Sequence, residues 1–537
     1  MNRILIALVG GLLFVATARL PAAISDPVQT DAGLVSGATL PSGVRAFKGL
    51  PFGAPPVGNL RWREPQPVAK WQGVRKADAF GPVCTQPKGT GRLNVSVDLP
   101  DSPPASEDCL YLNVWTGAER AAERRPVMVW IFGGAYTEGA GSSPHNDGEA
   151  LAKKGVVLVT VNYRLGPFGF FSHPELTKES GRNASGNQAM MDNIAALRWV
   201  QKNIAAFGGD PGNVTIFGES AGAALVAGLT GSPQAKGLFH RAISESGAWM
   251  GLSMASMRTR ASAEQPAPGR GGAAPASLPS LAELRAKPAD DIAKTLRGAG
   301  MIIDGWIVPE DLSLTFVQNR QNAVDVLAGS NKDEGSFSGG FGGGTTSAQW
   351  TDRVKQRWGD LADAYLKEYP GSTDAEAAAS SQAQFTEEMH WHMRGFAEAQ
   401  AKRGKKAWLY FFTHEPPYAP GARNLRATHT VEIPYVFNNL AAPRVFPDAS
   451  SPELAAASPA ERALAETVSS YWVNFARTGD PNGKGLTPWP AFRDTASGRA
   501  MILGPAAQPP SDANRLCGAT VPDEYQQDWR QLVDAVS

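Results

Sequence analysis

The chain has 537 residues, of which 42% are hydrophobic and 19% are charged, so it holds enough apolar material for a large core and lacks the composition of a disordered chain. Lysine plus arginine number 51, and aspartate plus glutamate also number 51. The chain therefore has no net positive charge to attract nucleic acid or an anionic membrane, although a local basic patch is compatible with a net charge of zero.

The first residues have the composition of an export signal. Arg3 supplies positive charge, residues 4–15 form an apolar run, and Ala16-Thr17-Ala18 offers small residues for cleavage. We therefore predict a signal peptide over residues 1–18 and a secreted or periplasmic mature chain. The apolar run is shorter than the roughly 20 residues that span a bilayer, so no membrane association is expected after cleavage; a retained anchor is the alternative.

The sequence contains three cysteines. Export would place them in an oxidising compartment, where Cys84 and Cys109 can form a disulfide. The chain-entropy model gives such a bridge, which closes about two dozen residues, about 3 kcal/mol. Cys517 would then be single, and no chemistry-bearing motif surrounds it, so we interpret it as a small buried side chain rather than a catalytic thiol.

Short apolar segments alternate along the chain with segments of helical pattern. Their hydrophobic residues are continuous rather than alternating, which is typical of strands buried on both faces. The predicted strands are residues 127–132, 156–161, 214–217, 242–244, 324–328 and 408–412. The clearest predicted helix, residues 189–207, has Ile194, Leu197, Val200 and Ile204 on one stripe. This alternation predicts an α/β fold with a mostly parallel sheet covered by helices.

Two stretches lack periodicity. Residues 255–280 are rich in Ala, Pro, Gly and Arg, which predicts a mobile surface insertion. The glycine cluster at residues 339–344 predicts a flexible loop. Because no internal repeat and no second complete domain pattern is visible, we predict one catalytic domain over residues 19–537, with insertions at the strand ends.

The strongest local motif is Gly218-Glu219-Ser220-Ala221-Gly222, which follows an apolar strand and precedes a helix-compatible run. A G-x-S-x-G elbow requires this context. Larger side chains at positions 218 and 222 would collide with neighbouring backbone in so tight a turn, and the serine must adopt strained dihedrals. Ser220 is therefore the predicted nucleophile. An ordinary glycine-rich turn with an exposed serine is the alternative.

Acyl transfer also requires donors for an oxyanion. The apolar strand at residues 127–132 ends in glycines whose backbone amides can face a ligand. We predict that the amides of Gly134 and Ala135, together with that of Ala221 after the nucleophile, form an oxyanion hole. A glycine-rich strand end that only makes a turn is the alternative.

Further stretches match one known family between about Lys48 and Trp489. They are Lys48-Gly-Leu-Pro-Phe-Gly-Ala-Pro-Pro56, Ser106-Glu-Asp-Cys-Leu-Tyr-Leu-Asn-Val114, Asn162-Tyr-Arg-Leu-Gly166 and Phe207-Gly-Gly-Asp-Pro211, which leads into the elbow. With these motifs the chain resembles the type B carboxylesterases, which include bacterial p-nitrobenzyl esterases and cholinesterases. The resemblance implies an α/β-hydrolase fold with a large, mostly parallel central sheet and insertions that form a lid over the strand C-terminal ends.

The same resemblance nominates the partners of Ser220. It implies Glu334, in Gly329-Ser-Asn-Lys-Asp-Glu-Gly335, as the acid and His429 as the base, in the chain order expected after an elbow. Asp333 is the close rival to Glu334. Three further residues resemble positions that brace the triad: Glu219, Ser246 and Glu432. The other histidines are interpreted as structural or are uninformative, and no metal site is expected.

The implied function is a serine ester hydrolase that forms an acyl-enzyme on small to medium uncharged esters, without a cofactor, as a monomer or weak homo-oligomer. An amide or carbamate hydrolase with the same triad is one alternative, and a non-catalytic cholinesterase-like binding protein is another. Residues 85–108 contain no aromatic residue, so choline esters are disfavoured. Phe132 and Tyr136 also depart from the family pattern and could alter the oxyanion geometry.

Overall fold

A computed structural model describes residues 24, 26–87, 102–247, 257–265, 277–298, 300–337, 345–418, 424–442, 457–492, 499–504 and 508–512. The predicted signal peptide, the glycine cluster at residues 339–344 and Cys517 lie outside the described residues. The predicted insertion at residues 255–280 is described in part.

A large mixed sheet forms the centre of the described chain. Its strands are β1 Val28–Gln29, β2 Leu34–Thr39, β3 Arg45–Pro51, β4 Val74–Ala77, β7 Tyr111–Thr116, β8 Arg125–Ile131, β9 Val157–Val161, β10 Gly209–Glu219, β11 Arg241–Glu245, β12 Asp325–Asn331, β13 Ala407–Phe412, β14 Arg499–Leu503 and β15 Gln508–Asp512. The strands β5 Val83–Cys84 and β6 Ala105–Ser106 form a separate two-stranded sheet. Strands β9, β8, β10, β11, β12, β13 and β14 are parallel neighbours in that order. The predicted mostly parallel sheet is confirmed.

All six predicted strands are present, with shifts of a residue or more at their ends. Every residue of β9 and β13 is buried, which is why their hydrophobic runs are continuous rather than alternating. Strand β10 is longer than predicted because it begins at Gly209, which pairs with Arg125 across a register irregularity before Val214. Its far end reaches Glu219, the residue before the predicted nucleophile.

The described helices are α1 Glu149–Lys153, α2 Gly166–Gly169, α3 Pro174–Glu179, α4 Gln188–Asn203, α5 Ala221–Gly231, α6 Arg260–Ala263, α7 Leu281–Ala286, α8 Ala289–Thr295, α9 Leu312–Val317, α10 Ser347–Trp358, α11 Ala362–Glu368, α12 Asp374–Lys402, α13 Ile433–Val436 and α14 Pro459–Thr478. The predicted helix at residues 189–207 is α4 followed by a 3₁₀ turn, Ile204–Phe207. None of the helices in the described ranges has the length and hydrophobicity needed to cross a bilayer.

In the predicted mobile insertion at residues 255–280, the described residues 257–265 contain the short helix α6, and most of them are exposed. Met257 is buried in the main core, and Thr259 forms a parallel bridge with Ile303. The Thr259 side chain then caps α6 by accepting a hydrogen bond from Ser262 N–H. A single apolar anchor and a helix cap therefore fix a segment whose composition alone suggested a loop.

Two links hold the segments around the central strands. Cys84 and Cys109 form a disulfide. Arg164, after β9, forms a fully buried ion pair with Asp192 of α4: Nη2 lies 2.6 Å from Oδ1 and Nε lies 2.9 Å from Oδ2. The two side chains are 3% and 0% exposed, so each charge depends on the other for its neutralisation.

Removing one partner of this pair will destabilise the fold strongly. In Asp192→Ala the Arg164 guanidinium stays buried without its counter-charge, which costs about 3–5 kcal/mol of unfolding free energy. The matched control is Glu398→Ala, which breaks the exposed pair between Glu398 and Lys402 on α12 and is expected to cost less than about 0.5 kcal/mol. Chemical denaturation of both variants measures the difference, and equal losses would contradict the assigned role of the buried pair.

Candidate active site

Ser220 lies between β10 and α5, with φ of 55° and ψ of −122°. A non-glycine residue in this region is strained and persists only where its surroundings fix it. Its N–H donates to the carbonyl of Glu245 at 2.9 Å, and its own carbonyl accepts from Ala224 N–H at 3.0 Å. The backbone on both sides of Ser220 is therefore hydrogen-bonded, which leaves the side chain free to project from the turn.

Close backbone approach explains the two glycines of the elbow. A Cβ at Gly218 would lie 2.5 Å from the Ile131 carbonyl oxygen, and a Cβ at Gly222 would lie 2.0 Å from that same atom. Both distances are far below van der Waals contact. The sequence predicted this crowding but missed Gly247, where a Cβ would lie 2.0 Å from the Ser220 carbonyl oxygen. The serine turn is thus packed against backbone that follows β11.

The structure brings Ser220, His429 and Glu334 together. His429 Nε2 lies 2.8 Å from Ser220 Oγ, and His429 Nδ1 lies 2.6 Å from Glu334 Oε2. The second carboxylate oxygen of Glu334 accepts from Asn331 N–H at 2.7 Å. The side chains of His429 and Glu334 are 2% and 0% exposed. This arrangement can remove the proton of the serine hydroxyl and stabilise the resulting imidazolium.

Asp333, the rival acid, faces a different direction. Its Oδ1 lies 3.0 Å from Arg426 Nη1, and its Oδ2 accepts from Ala427 N–H at 3.3 Å. These bonds fix the loop before His429. Glu334, and not Asp333, therefore contacts the imidazole.

The predicted oxyanion donors lie beside the serine. Gly134 and Ala135 have φ of 111° and 52°, and the Gly134 carbonyl accepts from Thr137 and Glu138 N–H, which turns the chain sharply. A Cβ at Gly133 would lie 3.1 Å from Ser220 Cβ, so this turn contacts the nucleophile directly. Within the described ranges, the amides of Gly134, Ala135 and Ala221 donate to no protein acceptor outside their own helix or turn, which leaves them available to a ligand oxygen.

The two residues that depart from the family pattern line the same turn. The Phe132 ring stacks on Tyr163, with centroids 4.3 Å apart, and Tyr163 Oη donates to the Phe132 carbonyl at 2.7 Å. Tyr136 packs against Phe170, with centroids 4.9 Å apart. Both rings therefore support the turn that carries Gly134 and Ala135.

The residues predicted to brace the triad lie at different places. Glu219 Oε1 is 3.2 Å from His429 Nε2. Glu432 lies near Glu334, and Asn331 Nδ2 donates to its carboxyl. Ser246 is fully buried, and its N–H donates to the Gly329 carbonyl at 2.8 Å, but its hydroxyl hydrogen-bonds to no described residue. Glu219 thus contacts the imidazole directly, whereas Ser246 acts on the described triad only through backbone.

Burial alters the charge of these carboxyls. It raises the pKa of Glu219 well above the usual value, with further contributions from Glu432, Glu334 and Glu245. Burial, together with the nearby Glu334, raises the pKa of Glu432 to about 7. Like charges in a low-dielectric interior cannot all ionise, so the site carries fewer negative charges than its number of carboxyls suggests.

Two aromatic residues that the sequence analysis missed enclose the imidazole. The Phe337 ring stacks on His429 at 5.6 Å with an interplanar angle of 27°, and the Phe385 ring meets its edge at 5.7 Å and 90°. Phe337 follows Glu334 closely in the sequence, which is a weak signal. Phe385 lies on α12, and nothing in its local sequence marks it. These contacts fix the ring orientation of the base.

The remaining histidines lie outside this constellation. His173 caps α3, His240 accepts from Val214 N–H, and His390 contacts the Asn331 carbonyl through Nε2 at 2.9 Å. His145 Nδ1 lies 2.6 Å from Ser143 Oγ, His414 Nε2 lies 3.9 Å from Glu461 Oε1, and His392 is buried on α12. In the described part of the chain, no group of three or more His, Cys, Asp or Glu side chains is arranged to hold a metal ion.

Comparisons with known proteins point to one family. A model described as the carboxylesterase family matches residues 25–515. The chain is 37% identical to fumonisin B1 esterase of Sphingopyxis macrogoltabida over 89% of this chain and 86% of the relative. It is 34% identical to para-nitrobenzyl esterase of Bacillus subtilis over 87% and 92% of the two chains. A solved PNB esterase superposes with a TM-score of 0.74 at 33% identity, covering 90% of this chain and 96% of that one, and shares the α/β-hydrolase fold.

Adding a methyl group at Gly247 will disturb the nucleophile. Because that methyl would lie 2.0 Å from the Ser220 carbonyl oxygen, Gly247→Ala must displace the serine turn, and we expect kcat to fall by about 100-fold. The control is Gly212→Ala, whose methyl would meet only the end of the Asp210 side chain at 3.3 Å. Steady-state kinetics on folded samples checks both variants, and an unchanged kcat in Gly247→Ala would refute the assigned contact.

The raised pKa of Glu432 makes stability depend on pH. Its folded-state pKa is about 7, whereas an unfolded glutamate titrates near ~4.3, so the folded protein holds the extra proton between these values. The stabilisation that this group contributes is fully present below the unfolded-state pKa and is lost as the pH rises through the folded-state pKa. Glu432→Gln removes the titration, so the Tm of this variant relative to that of the wild type should rise between about pH 4 and pH 7. A constant Tm difference across that window would contradict this.

Proposed function

This chain belongs to the carboxylesterase family, and we propose that it is a serine hydrolase that acts on small to medium uncharged carboxylic esters through an acyl-enzyme. One observation carries the proposal: an unbroken line of hydrogen bonds runs from Glu334 through His429 to Ser220, at 2.6 and 2.8 Å. Both distances lie within the reach required for a nucleophile, its base and the group that orients the base.

In the proposed reaction, His429 Nε2 accepts the hydroxyl proton while Ser220 Oγ attacks the ester carbonyl carbon. Glu334 holds the imidazole through Nδ1–H and stabilises its charged form. As the tetrahedral intermediate collapses, the bond to the alcohol oxygen breaks and the alcohol leaves with the proton from His429. A water then gives one proton to His429 and attacks the acyl carbon. The bond between that carbon and Ser220 Oγ breaks, His429 returns the proton to Oγ, and the carboxylic acid is released.

The amides of Gly134, Ala135 and Ala221 are the proposed oxyanion donors. They belong to two separate elements, the turn after β8 and the first residue of α5, so they approach the substrate oxygen from two sides. Removing one such donor costs about 3 kcal/mol of the barrier in comparable sites. The proposed steps use only these donors and the triad, and they require neither a metal nor an organic cofactor.

We also propose that residues 1–18 are removed on export and that residues 19–537 work as one domain in a secreted or periplasmic compartment. The disulfide between Cys84 and Cys109 supports this location, since such bonds persist in oxidising compartments. Mass spectrometry of the protein recovered from its native cell fraction tests it. An intact N-terminus in the cytosol would contradict the proposal.

The role of Ser220 is tested by substitution and by labelling. Ser220→Ala should lower kcat/KM for p-nitrophenyl acetate by at least about 10⁴-fold, and an organophosphonate should modify Ser220 in the wild type. The exposed Ser42→Ala variant controls for unspecific effects and should keep full activity. A wild-type chain that the organophosphonate does not label would instead indicate a non-catalytic binding protein.

The substrate class is tested with a matched panel. We expect p-nitrophenyl esters from acetate to palmitate to be hydrolysed with a preference for short and medium acyl chains, and each ester to react faster than its amide. Fumonisin B1 belongs in the panel because one relative is named for it. Amide turnover equal to that of the ester would favour the amidase alternative over an esterase.

A further inference from the structure

A row of three residues crosses the sheet behind the nucleophile. Glu245 on β11 pairs with Gly329 on β12, and Gly329 pairs with Tyr410 on β13. In-register neighbours on parallel strands point to the same face. Gly329 has no side chain on that face, and the Tyr410 ring occupies the space: a Cβ at Gly329 would lie 2.3 Å from this ring. The tyrosine ring therefore lies over the glycine and reaches toward Glu245.

Trp472 of α14 covers this row. Its Nε1–H donates to Glu245 Oε1 at 2.7 Å, and its ring centroid lies 5.1 Å from that of Tyr410. Glu245 also holds the nucleophile through backbone, because its carbonyl accepts the Ser220 N–H at 2.9 Å. One residue therefore links the covering helix to the strained serine.

Three oxygens in this region form what we name the rear acid cluster: Glu245 Oε2, Tyr410 Oη and Glu432 Oε1. The three residues are 0%, 1% and 1% exposed, and none of these atoms hydrogen-bonds to a described residue. Leaving such atoms unsatisfied is costly. A buried carboxyl that has no counter-charge is more stable in its protonated form.

The hydrogen-bond partners decide which carboxyl keeps its charge. Glu334 interacts with His429 and with the Asn331 N–H, whereas Glu245 has a single neutral donor, Trp472. No ion pair joins Glu245 to a lysine or arginine of the described chain. The titratable groups that face it are Glu432, Glu219 and Tyr410, and of these Glu432 disfavours a negative charge on Glu245. Burial, followed by Glu432, raises the pKa of Glu245 well above its usual value.

We propose that Glu245 is an uncharged positioning residue: one carboxyl oxygen accepts from Trp472 Nε1–H, and the other carries the proton on the side of the rear acid cluster. The proposal rests on the proposed function, because its consequence is that Glu334 is the carboxylate opposite the His429 imidazolium. A neutral Glu245 anchors the Ser220 turn without adding a second buried charge that would hold a proton on His429.

Infrared spectroscopy in D₂O at neutral pH tests the charge directly. The wild type should show C=O absorption from protonated carboxyls, and the difference spectrum between wild type and Glu245→Gln should show the loss of one such group. Glu398→Gln is the matched control, because Glu398 forms an ion pair with Lys402 and should contribute no such band. A wild-type spectrum in which Glu245→Gln instead removes a carboxylate band would overturn the proposal.

The pH profile of kcat/KM gives a second readout. Glutamine mimics a neutral carboxyl, so the acid limb of Glu245→Gln should coincide with that of the wild type. If Glu245 were ionised, its loss would move that limb to lower pH by about one unit.

Glu245→Leu leaves Trp472 Nε1 without its acceptor, and we expect kcat to fall about tenfold at unchanged KM. Restoration of kcat by glutamine supports the neutral form, and failure to restore it overturns the proposal.

The Tyr410→Phe variant tests the proposal independently if the Glu245 variants do not fold. Removing the hydroxyl from the cluster should shift the frequency of the protonated carboxyl band, and an unshifted band would overturn the cluster. Failure of the proposed function is distinguishable, because an active Ser220→Ala variant refutes the triad whatever the infrared band shows. An inactive Ser220→Ala variant combined with a carboxylate at Glu245 refutes this inference alone.

Discussion

The strained backbone at Ser220 is the constraint on which the site depends. A positive φ at a serine is costly, and the surrounding chain stabilises it through contacts at atomic distance. Gly218 and Gly222 lie against the Ile131 carbonyl, and Gly247 lies against the serine carbonyl. These contacts come from β8 and from the segment after β11, so the elbow exists only where the two neighbouring strands of β10 are already in register.

A second constraint is electrostatic. The imidazole of His429 is surrounded by buried carboxyls, of which Glu334 and Glu219 lie within 2.6 and 3.2 Å of its nitrogens. Burial favours the neutral form of each acid, and hydrogen-bond donors favour the charged form. Glu334 has the closest donors, so the geometry separates it from Glu219 and Glu432, whose pKa values are raised by burial. The parallel sheet makes this separation possible by bringing strand ends from distant parts of the chain to one edge.

Much of the site was predictable from local motifs. The elbow at Ser220, the glycines after β8 and the acid at Glu334 each follow a recognisable strand, and the structure places them together with His429. The turn that carries Gly134 and Ala135 likewise lies beside the serine. Gly247, Phe337 and Phe385 were missed because what marks them is a contact with a residue remote in sequence. The helix and the buried Met257 within residues 257–265 were missed for the same reason, since Met257 packs in the core rather than against its neighbours in the chain.

The sequence by itself determined the parallel α/β architecture, because strands buried on both faces need continuous apolar runs and tight turns need glycine. It also nominated the candidate nucleophile through a motif and the candidate base and acid through family resemblance, with Asp333 as the rival acid. Only the tertiary structure decided which acid meets the imidazole, with Asp333 bonded to Arg426 and Glu334 to His429. Adjacent residues on a loop differ in direction, and direction is set by long-range hydrogen bonds that no local pattern encodes.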